Sequence, residues 1–125
     1  MYEIYFYEDK DGHSPVYEYL QDLSQRTDKD SHINSNKIND YIQVLSEHGK
    51  NAGEPYIKHL DGDIWEIRPI RGRILFASWT DKGFILLHCF KKKTQKTPKR
   101  EIDQAKRNLK DMQERSKDNE NMERD

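Results

Sequence analysis

Residues 64–90 read IWEIRPIRGRILFASWTDKGFILLHCF, and the way this stretch divides decides the fold. IWEIRPI (64–70) and RILFASW (73–79) are rich in β-branched and aromatic residues, which fit a pleated, half-buried surface. They flank Arg71-Gly72, a hairpin signal, beside which Pro69 limits ladder pairing. TDKG, Thr80 to Gly83, is a second turn. FILLHCF (84–90) is apolar on both alternating faces, as a central strand covered on both sides requires. Alternation places Ile64, Glu66 and Arg68 on one face and Trp65 and Ile67 on the other. The bulky pair is expected to face helices, which leaves Arg68 on an open side. The same alternation puts His88 with Leu86 and Phe90.

Outward from this core, YEIYFY (2–7) is an N-terminal strand, broken by DKDGHSP. Ser14-Pro15 predicts a helix start, and Val16, Tyr19, Leu20 and Leu23 form its apolar stripe. The polar segment Ser24 to Ser31 reads as a connector or frayed helix end. A second helix carries Ile38, Tyr41, Ile42 and Leu45 on one face and ends near Gly49. Thr97-Pro98 repeats the cap-plus-proline signal before a last helix with Ile102, Ala105, Leu109 and Met112 inward. The expected order is strand, two helices, three antiparallel strands, helix. This is an α+β fold, an antiparallel sheet with an N-terminal helix hairpin packed on one face and a C-terminal helix. The single domain covers 1–112, and 113–125 is expected to be a frayed or disordered polar tail.

Composition limits the partners. The 125 residues suit one domain; 33% are hydrophobic and 36% charged, so the core is modest and the surface highly charged. The single cysteine, Cys89, excludes an intramolecular disulfide and a multi-cysteine metal site, which suits a reducing cytoplasm. Glu3, Glu8 and Asp9 argue against a signal peptide, and the apolar run 84–90 is too short to cross a membrane. Net charge is −1, yet Glu54 to Arg107 holds 13 Lys or Arg against 7 Asp or Glu, and the remainder holds 9 against 16. That asymmetry reads as a basic face on an acidic frame, or as chance clustering on a charged surface.

The cations concentrate at strand ends. Lys91, Lys92, Lys93, Lys96, Lys99 and Arg100 follow Phe90 with no acid before Glu101. If the three strands are neighbours, these residues, Arg68 and Arg73 converge on one concave face, near the amides that open the last helix. Taken singly, each is a solvated surface charge. As a set they suit cleavage of RNA by its own 2′-hydroxyl, because fixed cations stabilise the dianionic phosphorane-like state. A lysine crowded by other cations has a lowered pKa and can act as a base. Lys91 and Lys92 hold RNA or face solvent. Lys99 and Arg100 sit in a first helical turn, where cations are mildly unfavourable, so a docking polyanion is expected. Phe90 stacks on a base or belongs to the core. His88 is a core or rim histidine, or an acid/base group. No pair of the five histidines has metal-ligand spacing on a helix, and no GxSxG, P-loop or GxGxxG is present, so neither metal nor cofactor is expected. Asp61 and Asp63 read as an ordinary turn.

LDGDIWEIRPIRGRILFASW (60–79) followed by ILLHCFKKKTQKTPKREIDQAKRNL (85–109) resembles the HigB-like, phage-derived branch of the RelE/ParE toxin superfamily. Leu60, Trp65, Glu66, Arg68, Arg73, His88, Phe90, Lys92, Lys93, Thr94, Lys96, Thr97, Pro98 and Ala105 carry the resemblance, strongest over about residues 56–110. It implies a RelE-like fold and a toxin of a type II toxin–antitoxin module that cuts mRNA on the ribosome without metal. It also implies a HigA-like helix-turn-helix antitoxin, with operator DNA bound only through the complex. By the same resemblance Arg68, Arg73 and Lys93 match the cations of the cleavage site, and Lys96 lies close by. The family's last-helix tyrosine is missing from TPKREIDQAK, which leaves Lys93, Lys96 or His88 as the base. Two alternatives share the chain's features: a ParE-like inhibitor of DNA gyrase on the same fold, and a non-catalytic phage-derived binding module.

Overall fold

The computed structural model describes residues 1–124, with side chains described for 1–117. The chain runs β1 (Glu3–Phe6), α1 (Pro15–Gln25), α2 (Lys29–His48), a 3-10 turn at Gly49–Ala52, β2 (Ile57–Asp61), β3 (Ile64–Ile67), β4 (Gly72–Trp79), β5 (Gly83–Lys91) and α3 (Lys99–Arg124). The α+β class holds. The antiparallel sheet does not: the strand order is β1-β5-β4-β3-β2, and β1 pairs with β5 in parallel. The sheet is therefore mixed: β1 lies beside β5, and α1 and α2 then carry the chain across one face before the antiparallel strands begin.

Four strands follow the helix hairpin, where three are expected. The extra one, β2, is IKHLD, an edge strand whose only buried residue is Ile57, so it carries almost no apolar signal. Gly62 and Asp63 make the β2–β3 turn, with Gly62 at φ 55, and Asp61 closes β2. The segment expected to be a connector ends earlier than Ser31: the Asp28 side chain accepts the Ser31 N–H at 2.9 Å and opens α2 at Lys29. Helix α3 continues past Met112, and Arg115 donates to the Glu8 carbonyl and to Asp111. Of the expected polar tail, residue 125 and the side chains of 118–125 lie outside the described residues.

Two cores sit on opposite faces of the sheet. Against α1 and α2 pack Ile57, Ile67, Ile74, Phe76, Phe84 and Leu86, joined by Val16, Leu23, Ile38 and Leu45, with Trp65 alongside. Against α3 pack Ile64, Leu75, Ala77, Ile85 and Leu87 with Ala105 and Leu109. Each fully buried aliphatic side chain contributes about 1.5–3 kcal/mol. Trp65 and Ile67 face the helix hairpin, as alternation expects. The opposite side is not open, because α3 covers it.

A bulge breaks the alternation in β5. Leu75 faces His88 and Phe76 faces Leu86, so Leu87 has no partner residue on β4. Its carbonyl accepts instead from buried Asn108 of α3 at 2.8 Å. The extra residue turns His88 onto the α3 face with Leu87 and Phe90, and not with Leu86 as strict alternation places it.

Candidate active site

The start of α3 roofs one end of the sheet, and two rows of side chains lie beneath it. The register aligns Lys58 with Glu66, Glu66 with Leu75, and Leu75 with His88. One step outward, Arg73 aligns with Phe90, and Arg68 continues β3 by donating its N–H to the Tyr56 carbonyl at 3.0 Å. Directly opposed residues share a face, so a mixed row of cations and aromatics borders a row centred on an acid.

That acid is Glu66, only 2% exposed. Its Oε1 accepts from the Thr97 hydroxyl at 2.5 Å and lies 3.7 Å from Arg73 Nε. Its Oε2 lies 3.5 Å from Arg68 Nε. A buried charge requires partners, and Glu66 has two guanidinium groups and a hydroxyl. Thr97 thus ties the loop after β5 to the middle of β3 instead of capping the helix.

Arg73 is 6% exposed and is held from several sides. Its Nη1 donates to the carbonyls of Pro69 at 2.8 Å and Gly72 at 2.7 Å. Burial lowers its pKa, with the Glu66 charge opposing and Arg68 adding to the shift. Arginine nonetheless stays protonated at physiological pH, so this is a fixed positive charge in a rigid setting. Arg68 is looser, with its side chain 24% exposed and Glu54 3.9 Å away.

The expected cations do not form one concavity. A cavity of about 400 Å³ is lined by Arg73, Phe90, Lys91, Lys92, Lys93 and Arg100, with Glu101 at its edge. A second, of about 420 Å³, is lined by Arg68 and Lys96 together with Lys58, His59 and Glu66. Thr97 lines both and, through Glu66, forms the ridge between them. Lys99 lines neither. His88 sits behind the first cavity, stacked on Phe90 with centroids 6.1 Å apart, its Nε2 3.4 Å from Glu101 Oε1. Phe90 packs against the α3-side core and also lines the first cavity. Tyr56 belongs to the other core. Burial pushes the Cys89 thiol up to about 11, which disfavours the thiolate a nucleophile requires.

Glu66 as a structural centre, and Thr97, Glu101 and Lys58 beside it, are site residues that the expected cation set does not contain. Glu66 does carry a signal: an acid between Ile64-Trp65 and Ile67, followed by three arginines within seven residues, is the pattern of a buried carboxylate with counter-ions. Chemically, the first cavity offers fixed and mobile cations for an anion, an aromatic face for a base, and a His–Glu pair in reserve for proton transfer.

A search of curated proteins found no match. The model of the phage-derived protein Gp49-like family (DUF891) matches residues 18–110, which include the helix hairpin, β2 to β5, both cavities and the first half of α3. The chain therefore belongs to the phage-derived Gp49-like family, a family of RelE/HigB-like toxins.

Proposed function

We propose that the protein is the toxin of a type II toxin–antitoxin module, a metal-independent endoribonuclease of RelE-like arrangement that cuts mRNA on the ribosome. The observation that carries this reading is the first cavity, where buried Arg73 and the lysines after β5 surround a space walled by Phe90. The scissile phosphate sits against Arg73 and Lys93, and an adjoining base stacks on Phe90. The 2′-hydroxyl gives up its proton to a base as its oxygen bonds to phosphorus, the P–O5′ bond breaks, the 5′-oxygen takes a proton as it departs, and a 2′,3′-cyclic phosphate forms. Arg73 contributes charge that needs no reorganisation during the step. Lys93 is placed to meet the reacting groups directly, whereas His88 reaches them only past Phe90. The antitoxin is a HigA-like helix-turn-helix protein, which carries the complex to operator DNA. The action is cytoplasmic, where the ribosomes are. No described helix is long and apolar enough to cross a membrane.

The structure shapes the test. Arg73→Ala would empty a buried site and leave Glu66 short of a counter-ion, so lost activity could reflect lost folding. Lys93→Ala, whose residue is exposed, and Arg73→Lys, which keeps the charge but not the planar fork, are the informative pair. Each is expected to lower cleavage of translated mRNA about 10²–10³-fold, read by primer extension, with the fold intact by circular dichroism. A chelator is expected to change nothing. Full activity in Lys93→Ala would refute its catalytic role, and gyrase-linked DNA breaks without mRNA cleavage would overturn the reading as a whole.

A further inference from the structure

The second cavity is cationic yet separated from the first. Lys58 stands opposite Glu66 in the β2–β3 register, so both occupy the α3 face. Arg68 lies two residues beyond Glu66 on that face, and Lys96 approaches from the loop above. Among the described residues Glu66 is the only acid lining this cavity, with Arg73 facing it from the other side and Glu54 standing 3.9 Å from Arg68. Lys58, Arg68 and Lys96 together therefore exceed the local negative charge. Arg68 Nε is buried and makes no hydrogen bond among the described residues, with Glu66 Oε2 3.5 Å away. Thr97 lines both cavities, so they adjoin, and a strand that crosses the Thr97–Glu66 contact can set one phosphate in each.

We propose that Lys58, Arg68 and Lys96 form a second phosphate subsite, so that the site grips two neighbouring phosphodiesters of a single-stranded polynucleotide across the Thr97–Glu66 ridge. The inference rests on the nuclease reading for the identity of the strand, but not for the presence of the charge. It assigns Arg68 to a neighbouring phosphate rather than the scissile one. It also gives Lys58 a task, on an edge strand where only Ile57 is buried.

Fluorescence anisotropy with 2′-O-methyl oligonucleotides, which cannot cleave themselves, tests this. The probes are a trinucleoside with two phosphodiesters and the same trinucleoside with its second linkage a neutral methylphosphonate. Wild-type protein is expected to bind the first more tightly, with log K falling more steeply against log salt by about 0.7 for the extra contact. In Lys58→Ala that difference between probes is expected to shrink markedly, and Lys58→Arg is expected to restore it. Lys58 is exposed, so folding is not at issue. Equal affinity of the wild type for both probes overturns the subsite. So does an equal weakening of both probes in Lys58→Ala, which would mean diffuse surface charge. If the probe difference holds but translated mRNA is not cut, the nuclease reading fails and the subsite stands. If mRNA is cut and the difference is absent, the subsite alone fails.

Discussion

Glu66→Ala is expected to destabilise the fold by about 3–5 kcal/mol, measured by urea denaturation, the cost of leaving a buried ion pair with one partner. Arg73 would remain at 6% exposure with its hydrogen bonds to Pro69 and Gly72 but without its counter-ion. Arg68 can turn toward solvent and is not the source of the cost. Thr97 would lose its acceptor at the same time, loosening residues 92–98 and with them the lysines of the first cavity. Glu66→Gln keeps an acceptor for Thr97 and removes only the charge, so it is expected to fall between wild type and Glu66→Ala. Adding Arg73→Met to Glu66→Ala is expected to recover part of the loss, because a buried pair replaced by apolar groups is often near neutral. A Glu66→Ala protein within about 1 kcal/mol of wild type would show that the carboxylate is not the anchor described here.

The apolar strands were legible and the polar links were not. FILLHCF has no polar face, and the structure places β5 between β1 and β4 with helices on both sides. Trp65 and Ile67 point to the helix hairpin because their bulk needs cover. By contrast, β2 announces itself by pairing and not by burial, so a reading based on apolar periodicity passes over it. The parallel docking of β1 is a long-range choice, and nothing in YEIYFY encodes its direction. The bulge at Leu87 depends on Asn108, 21 residues away, which accounts for the carbonyl that the bulge frees. Without that partner in view, alternation groups His88 with Leu86 as well as with Phe90, and only the second grouping holds.

The cations were legible as a set, but their grouping was not. Convergence of Arg68, Arg73 and the lysines follows from three neighbouring strand ends. Their division into two cavities follows from one hydrogen bond, Thr97 to Glu66, between residues 31 apart in sequence. The sequence reading treated Thr97 as a helix cap and placed Glu66 toward an open side. Once α3 covers that side, Glu66 must find partners, and the two arginines nearest to it are those read first as catalytic. Arg73 therefore serves the fold and the site together, which is why its removal is a poor test of either.

Gly83→Ala is expected to detach β1 from the sheet. A Cβ on Gly83 would stand 2.1 Å from the Glu3 carbonyl oxygen and 2.8 Å from its carbon, both backbone atoms that cannot swing aside. Gly83 opposes Glu3 in the parallel ladder, whose first residue also donates its N–H to Lys82. Relief requires β1 to move, and β1 brings Ile4 and Phe6 to one core and Tyr5 to the other. Tyr7 follows, with its hydroxyl 2.7 Å from Asp111. The expected cost is about 3 kcal/mol, the upper part of the overpacking range, with faster hydrogen exchange at the β1 amides. Gly62→Ala separates space from backbone strain: Gly62 has φ 55 but nothing within 4 Å of a built Cβ, so about 1–2 kcal/mol is expected. If Gly83→Ala costs no more than Gly62→Ala, the close approach of β1 is wrong. Because Gly83 opens β5 while Phe90 and Lys91 close it, the folded Gly83→Ala protein should retain its affinity for the two-phosphate probe. A loss of binding that outpaces the loss of folded protein would instead mean that β1 supports the site from the far end of the sheet.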